Sequence, residues 1–103
     1  MAVEYASKNA AGVARSTSGA FTSDNTITEV ILGFRPKYVK VVNVTDVIVR
    51  EKIEGMADDA CVNTVTAGTT TINTSGLITF QDNGFTLSAT AVGDEKAIVW
   101  FAS

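Results

Sequence analysis

From residue 26 onward the chain alternates short runs of β-branched and aromatic residues with breaks rich in glycine and aspartate. Eight runs stand out: 27–32, 38–44, 47–53, 61–66, 69–73, 77–81, 85–89 and 96–101. Gly33, Pro36, Gly55, Asp58-Asp59, Ala67-Gly68, Ser75-Gly76, Asp82-Asn83-Gly84 and Gly93-Asp94 separate them. Strands this short at about ten-residue spacing predict an all-β domain, a small antiparallel β-sandwich or jelly-roll-like barrel. Asp82-Asn83-Gly84 is the strongest hairpin signal, because Asn-Gly readily takes the positive φ values of a type I′ turn. No stretch sustains a helical period; the nearest is 51–60.

The alternation inside the runs predicts which side of each strand faces the core. In 47–54, Val47, Val49, Glu51 and Ile53 share one face, and Ile48, Arg50, Lys52 and Glu54 share the other. The first reads as the inward face, with Glu51 its misfit, and the second as solvated. Phe85, Leu87 and Ala89 alternate with Thr86 and Ser88 as a half-buried strand does. Two runs differ. Residues 38–44 carry Val39 and Val41 on one face against Tyr38, Val42 and Val44 on the other, and Ile98 and Trp100 oppose Val99 and Phe101. A strand apolar on both faces is either central to its sheet or covered by another subunit.

Residues 1–24 have another composition, small and polar, with Val3, Tyr5, Val13 and Phe21 as the available anchors. Such a segment buries too little to offset its ordering entropy alone. It reads as a flexible N-terminal arm, either disordered or ordered against a neighbouring subunit, ahead of a body at 25–103. On this boundary, deleting residues 2–20 leaves the body folded.

The 103 residues make one domain, and its thin stability margin invites a supplement. Cys61 is the lone cysteine, so no disulfide forms within the chain, and the absence of histidine removes the commonest metal ligand and general base. Oligomerisation is the supplement left. A net charge of −3 without a basic cluster argues against nucleic acid, and no apolar run is long enough for a signal peptide core or a membrane span. Without a secretion signal the acceptor patterns at Asn43 and Asn73 are discounted.

The remaining chemistry reads as structural. Cys61 has no thiolate-stabilising neighbour in sequence and reads as a buried structural cysteine. Asp46, Asp58, Asp59, Asp82 and Asp94 fall in turns, where their side chains bond locally, and lack the spacing of a calcium loop or of a catalytic carboxylate pair. No serine or threonine has a histidine partner, and the glycines form no phosphate-cradling loop. Arg35-Pro36-Lys37 is a basic turn, either simply solvated or facing an acidic partner surface. Trp100 and Phe101 are core or interface residues. No catalytic, metal, cofactor or small-molecule site is expected.

One block carries a resemblance: Gly33-Phe34-Arg35-Pro36-Lys37-Tyr38-Val39-Lys40-Val41-Val42-Asn43, then Thr45-Asp46 and Glu54-Gly55-Met56. Ser75-Gly76-Leu77-Ile78, Gly84-Phe85-Thr86-Leu87 and Trp100-Phe101 follow. This order over residues 30–101 resembles small structural proteins of tailed bacteriophage virions, most of all capsid decoration (cement) proteins. Where that pattern has an aromatic residue between Asp46 and Met56, this chain has Arg50, Lys52 and Ile53. The resemblance implies a virion protein without enzyme activity, assembled in the host cytoplasm. Its partner would be the major capsid protein, on whose exterior it would sit as a homotrimer bridging subunits with its arm. A tail or fibre module that binds a receptor or another tail protein is the alternative. The expected interface residues are Tyr5, Val13 and Phe21 of the arm, and Phe34, Arg35, Lys37, Tyr38 and Trp100 of the body.

Overall fold

The computed structural model describes residues 16–103 together with the backbone of residues 2–5. The strands are β1 (Ala2–Tyr5), β2 (Thr17–Asp24), β3 (Thr28–Ile31), β4 (Tyr38–Asn43), β5 (Ile48–Ile53), β6 (Cys61–Thr64), β7 (Thr70–Asn73), β8 (Ile78–Gln81) and β9 (Gly84–Leu87). A single helical turn, α1 (Ala89–Val92), leads into the last strand, β10 (Asp94–Ala102). The chain is nearly all-β, and each of the eight runs picked out by pattern overlaps a strand.

Two sheets result. One has the order β1-β3-β9-β8 and the other β2-β10-β4-β5-β6-β7. Among the described residues every pairing is antiparallel except β1 with β3. Both sheets feed one buried cluster. Val30, Ile78, Phe85 and Leu87 enter it from the smaller sheet, and Val39, Val41, Cys61, Ile98 and Trp100 from the larger. Trp100 meets Phe85 edge-on at 5.6 Å between ring centroids, the geometry that aromatic quadrupoles favour.

Residues 17–24, which composition assigns to the arm, belong to the body. β2 pairs with β10 from Thr17↔Ala102 to Asp24↔Asp94, with an irregularity near Lys96. Its inward residues are Gly19, Phe21 and Ser23. Phe21 packs on the core, the Ser23 hydroxyl accepts the Lys96 backbone N–H at 2.9 Å, and Gly19 lies under the Trp100 indole. A Cβ at Gly19 would come within 2.6 Å of that ring, so the small residue there is a packing requirement. The strand looks like a linker in composition because its outward residues, Ser18, Ala20 and Thr22, are small or polar and exposed.

The inward face of β5 is also the reverse of the pattern reading. Arg50 and Lys52 are buried, whereas Val47 and Ile53 are more than half exposed. Register explains this: Arg50 lies opposite Val41 and Lys52 opposite Val39, both core residues of β4. Burying a cation costs several kcal/mol unless its donors are met. Lys52 Nζ donates to the carbonyl oxygens of Ala57 (2.7 Å), Asp58 (3.2 Å) and Ala60 (2.7 Å), and stands 5.5 Å from the Phe80 ring centroid. Arg50 Nη1 donates to Ala91 O at 2.8 Å, at the end of α1, while its buried Nε has no partner among the described residues. The two cations serve as internal ties for loop and helix carbonyls.

Candidate protein-binding face

Because the core lies on one side of the six-stranded sheet, the other residues of its strands build an outer face. The two strands that are apolar on both sides, β4 and β10, are neighbours, with Val99 opposite Val42 and Phe101 opposite Lys40. Being central in the sheet supplies their hydrogen bonds but leaves their outer side chains uncovered. Val99 and Phe101 are 39% and 41% exposed, and Ile53 on β5 and Ile72 on β7 are 52% and 60% exposed. Val42, Val49 and Val62 fill positions between them and are half-buried. Lys40, Val42, Val99, Trp100 and Phe101 line a depression of about 130 Å³ at its centre. That is below the size of an ordinary small-molecule pocket, and the surroundings are broad and shallow, which suits a protein surface.

Ser18, Thr22, Thr64 and Thr70 also lie on this face, but the polar groups beside the apolar field are partly tied down. Tyr38 Oη donates to a Glu51 carboxylate oxygen at 2.7 Å, and the Tyr38 ring leans on Phe101 at 6.3 Å. Burial, the hydrogen bond to Glu51 and the carboxylate's charge push the Tyr38 hydroxyl up to about 12. It therefore remains a neutral donor across the physiological range. Lys40 stands directly across from Glu51 in the β4–β5 register. One cation and one anion in an apolar field can fix the orientation of a partner without requiring a strongly charged one.

The sequence-expected interface residues scatter relative to this face. Tyr38 is on it. The Trp100 side chain belongs to the core, only 4% exposed and held between Phe85 and Gly19. Phe21 and Phe34 are half-buried and pack on the core. Arg35 is exposed and pairs with Asp82 at 3.5 Å in full solvent, where screening leaves little net energy. The Lys37 side chain is exposed beside the strand entry. Tyr5 has its backbone in β1 and its side chain outside the described residues, and Val13 also lies outside them. Val42, Val99, Ile53 and Ile72 were missed as candidates. The signal for the first two was present in the doubly apolar runs, but neither run says which of its faces is inside.

Elsewhere the titratable groups are dispersed. Asp46 accepts from Lys96 Nζ at 3.2 Å and from Asn43 Nδ2 at 3.1 Å, and Asp24 accepts from the Thr26 hydroxyl at 2.6 Å. Among the described residues no three of His, Cys, Asp and Glu converge as metal ligands would. Cys61 is fully buried. Desolvation pushes its thiol up, against the opposing pull of Arg50 and Lys52 beside it. No protein family, curated protein or solved structure matches this chain.

Proposed function

We propose that this chain is a non-enzymatic structural protein that works by laying the outer face of its six-stranded sheet on another protein. The supporting observation is the adjacency of β4 and β10, which gathers Val42, Val99 and Phe101 into one exposed apolar field. Soluble monomers rarely expose contiguous apolar surface of this kind without a partner for it. Together with the phage-like block, whose segments fall on β4, β9 and β10, this supports reading the chain as a decoration protein of a tailed-phage capsid. Its two-sheet body would act as a β-sandwich stud seated on the major capsid protein, as a homotrimer on the virion exterior.

Localisation and the face can be tested together. Shells incubated with the native chain should show added density on their exterior by cryo-electron microscopy. Phe101→Glu should fold normally, since this side chain is exposed, yet lose that density. Density confined to the tail, or full shell occupancy by the Phe101→Glu chain, overturns the reading. Tail-confined density would instead favour a tail or fibre module.

A further inference from the structure

The open edge of β7 is built differently from the rest of the surface. Among the described residues nothing pairs with its outer side, since β7 ends the six-stranded sheet. Thr70, Thr71 and Ile72 are exposed on both faces of the strand, and Ile72 is 60% exposed. The β6–β7 hairpin thus projects past the shared core, where a two-stranded ribbon is marginal in water. Edge strands normally carry lysine, proline or a bulge to block pairing. Here no Asp, Glu, Lys, Arg or Pro occurs from Ala60 to Gln81, and the β6–β7 register runs without a shift.

The hairpin also fixes which backbone groups face the open side. The Val65 N–H donates to Thr69 O at 3.2 Å, which makes Val65 and Thr69 a hydrogen-bonded pair. Antiparallel pairs alternate, so Thr64↔Thr70 is a non-bonded pair, Asn63↔Thr71 a bonded one, and Val62↔Ile72 non-bonded again. The contact of the Thr64 and Thr70 hydroxyls at 3.0 Å agrees, since side chains approach more closely in non-bonded pairs. Thr71 and Asn73 therefore spend their N–H and C=O groups on β6, while those of Thr70 and Ile72 point outward.

From this we propose that β7 pairs with β7 of a second copy of this chain about a two-fold axis beside Thr71. Thr70 of each copy lies opposite Ile72 of the other, giving four backbone hydrogen bonds and one continuous sheet. The occupant is the same chain because the edge is self-complementary. It is uncharged, so a two-fold axis brings no like charges together, and it offers donors and acceptors in the alternation that its own antiparallel copy needs. Thr opposite Ile is a favourable cross-strand pair, and the apolar outer face would continue across the joint through Ile72. Four residues of edge bury less than the roughly 1,200 Å² of a stable interface, so the dimer is weak and forms at high concentration.

Sedimentation velocity on the full chain tests this. The trimer proposed above forms on the shell, so in free solution the weight-average mass should rise from 10.8 kDa toward twice that value as the concentration approaches about 1 mM. Ile72→Pro removes an outward N–H and leaves the β6 ladder intact, so the folded variant should stay at the monomer mass; Thr70→Pro should do the same. Thr71→Pro removes an N–H that β6 uses and should instead destabilise the hairpin, which checks the phase. A native chain that stays monomeric throughout, or an oligomer undiminished by both edge prolines, overturns the proposal. The result is independent of whether the outer face binds a shell.

Discussion

At the scale of single residues the most consequential side chain is Lys52. Its three ammonium protons all have carbonyl partners, and those carbonyls belong to the 57–60 turn that joins β5 to β6. Lys52→Met keeps the stem's bulk and leaves three oxygens without that donor. Of the three, the Ala60 oxygen is the buried one and the Ala57 oxygen keeps the Ala60 N–H, so a loss of about 1–3 kcal/mol is expected in urea denaturation. A loss below about 1 kcal/mol would mean that water replaces the ammonium. Lys52 is also where pattern reading failed in an instructive way. A charged residue alternating with valines is assigned to solvent, because desolvation normally forbids the interior. That rule has an exception when converging carbonyls await a cation, and carbonyls belong to the backbone, so sequence does not display them. Arg50 is the same case on a smaller scale, held by Ala91 O. Cys61, by contrast, is buried, as its residue type and neighbours suggested.

At the scale of elements, the β8–β9 hairpin separates a correct location from a different cause. Asp82 and Asn83 form the two-residue loop between Gln81 and Gly84, as the sequence signal places it. Yet neither residue is among those with positive φ, so the loop is not the type I′ turn that Asn-Gly suggests. Gly84 is needed for a different reason: a Cβ there would run into the Val30 carbonyl of β3. The glycine permits close approach of β9 to β3, a use that a local motif cannot distinguish from a turn. Gly84→Ala should therefore cost roughly 3 kcal/mol or more in thermal or chemical unfolding, far above the normal cost of Gly→Ala at a turn. A change within about 1 kcal/mol would return the explanation to the loop. The strands with β-branched runs were all legible, because their pattern is local. α1 was missed although Ser88 caps it through the Ala91 N–H at 3.1 Å and Gly93 closes it at φ 69°. One turn is too short to show a period.

At the scale of the whole molecule, what sequence could not supply is the placement of faces. The doubly apolar character of β4 and β10 was legible; their adjacency, and hence a single outer field, follows only from β10 returning to lie between β2 and β4. The same return fixes where the body begins. β10 fed between β2 and β4 has two ladders, and one of them depends on residues 17–24. A cut after residue 20 would thus pass through a strand rather than through a linker. A chain beginning at Ser16 should retain cooperative unfolding, because β2 and its contacts with Trp100 stay whole. A chain beginning at Asn25 strips one side of β10, removes Phe21 from the core and uncovers the Trp100 indole. Phe21 is half-buried, so loss of its burial alone costs about 1 kcal/mol, and the severed ladder adds to it. For a domain of this size such a loss consumes much of the total stability. The shorter chain should accordingly show a red-shifted Trp100 emission and a broad, low-temperature transition. If it unfolds as sharply and at the same temperature as the Ser16 chain, β2 is an accessory strand and the body is complete without it.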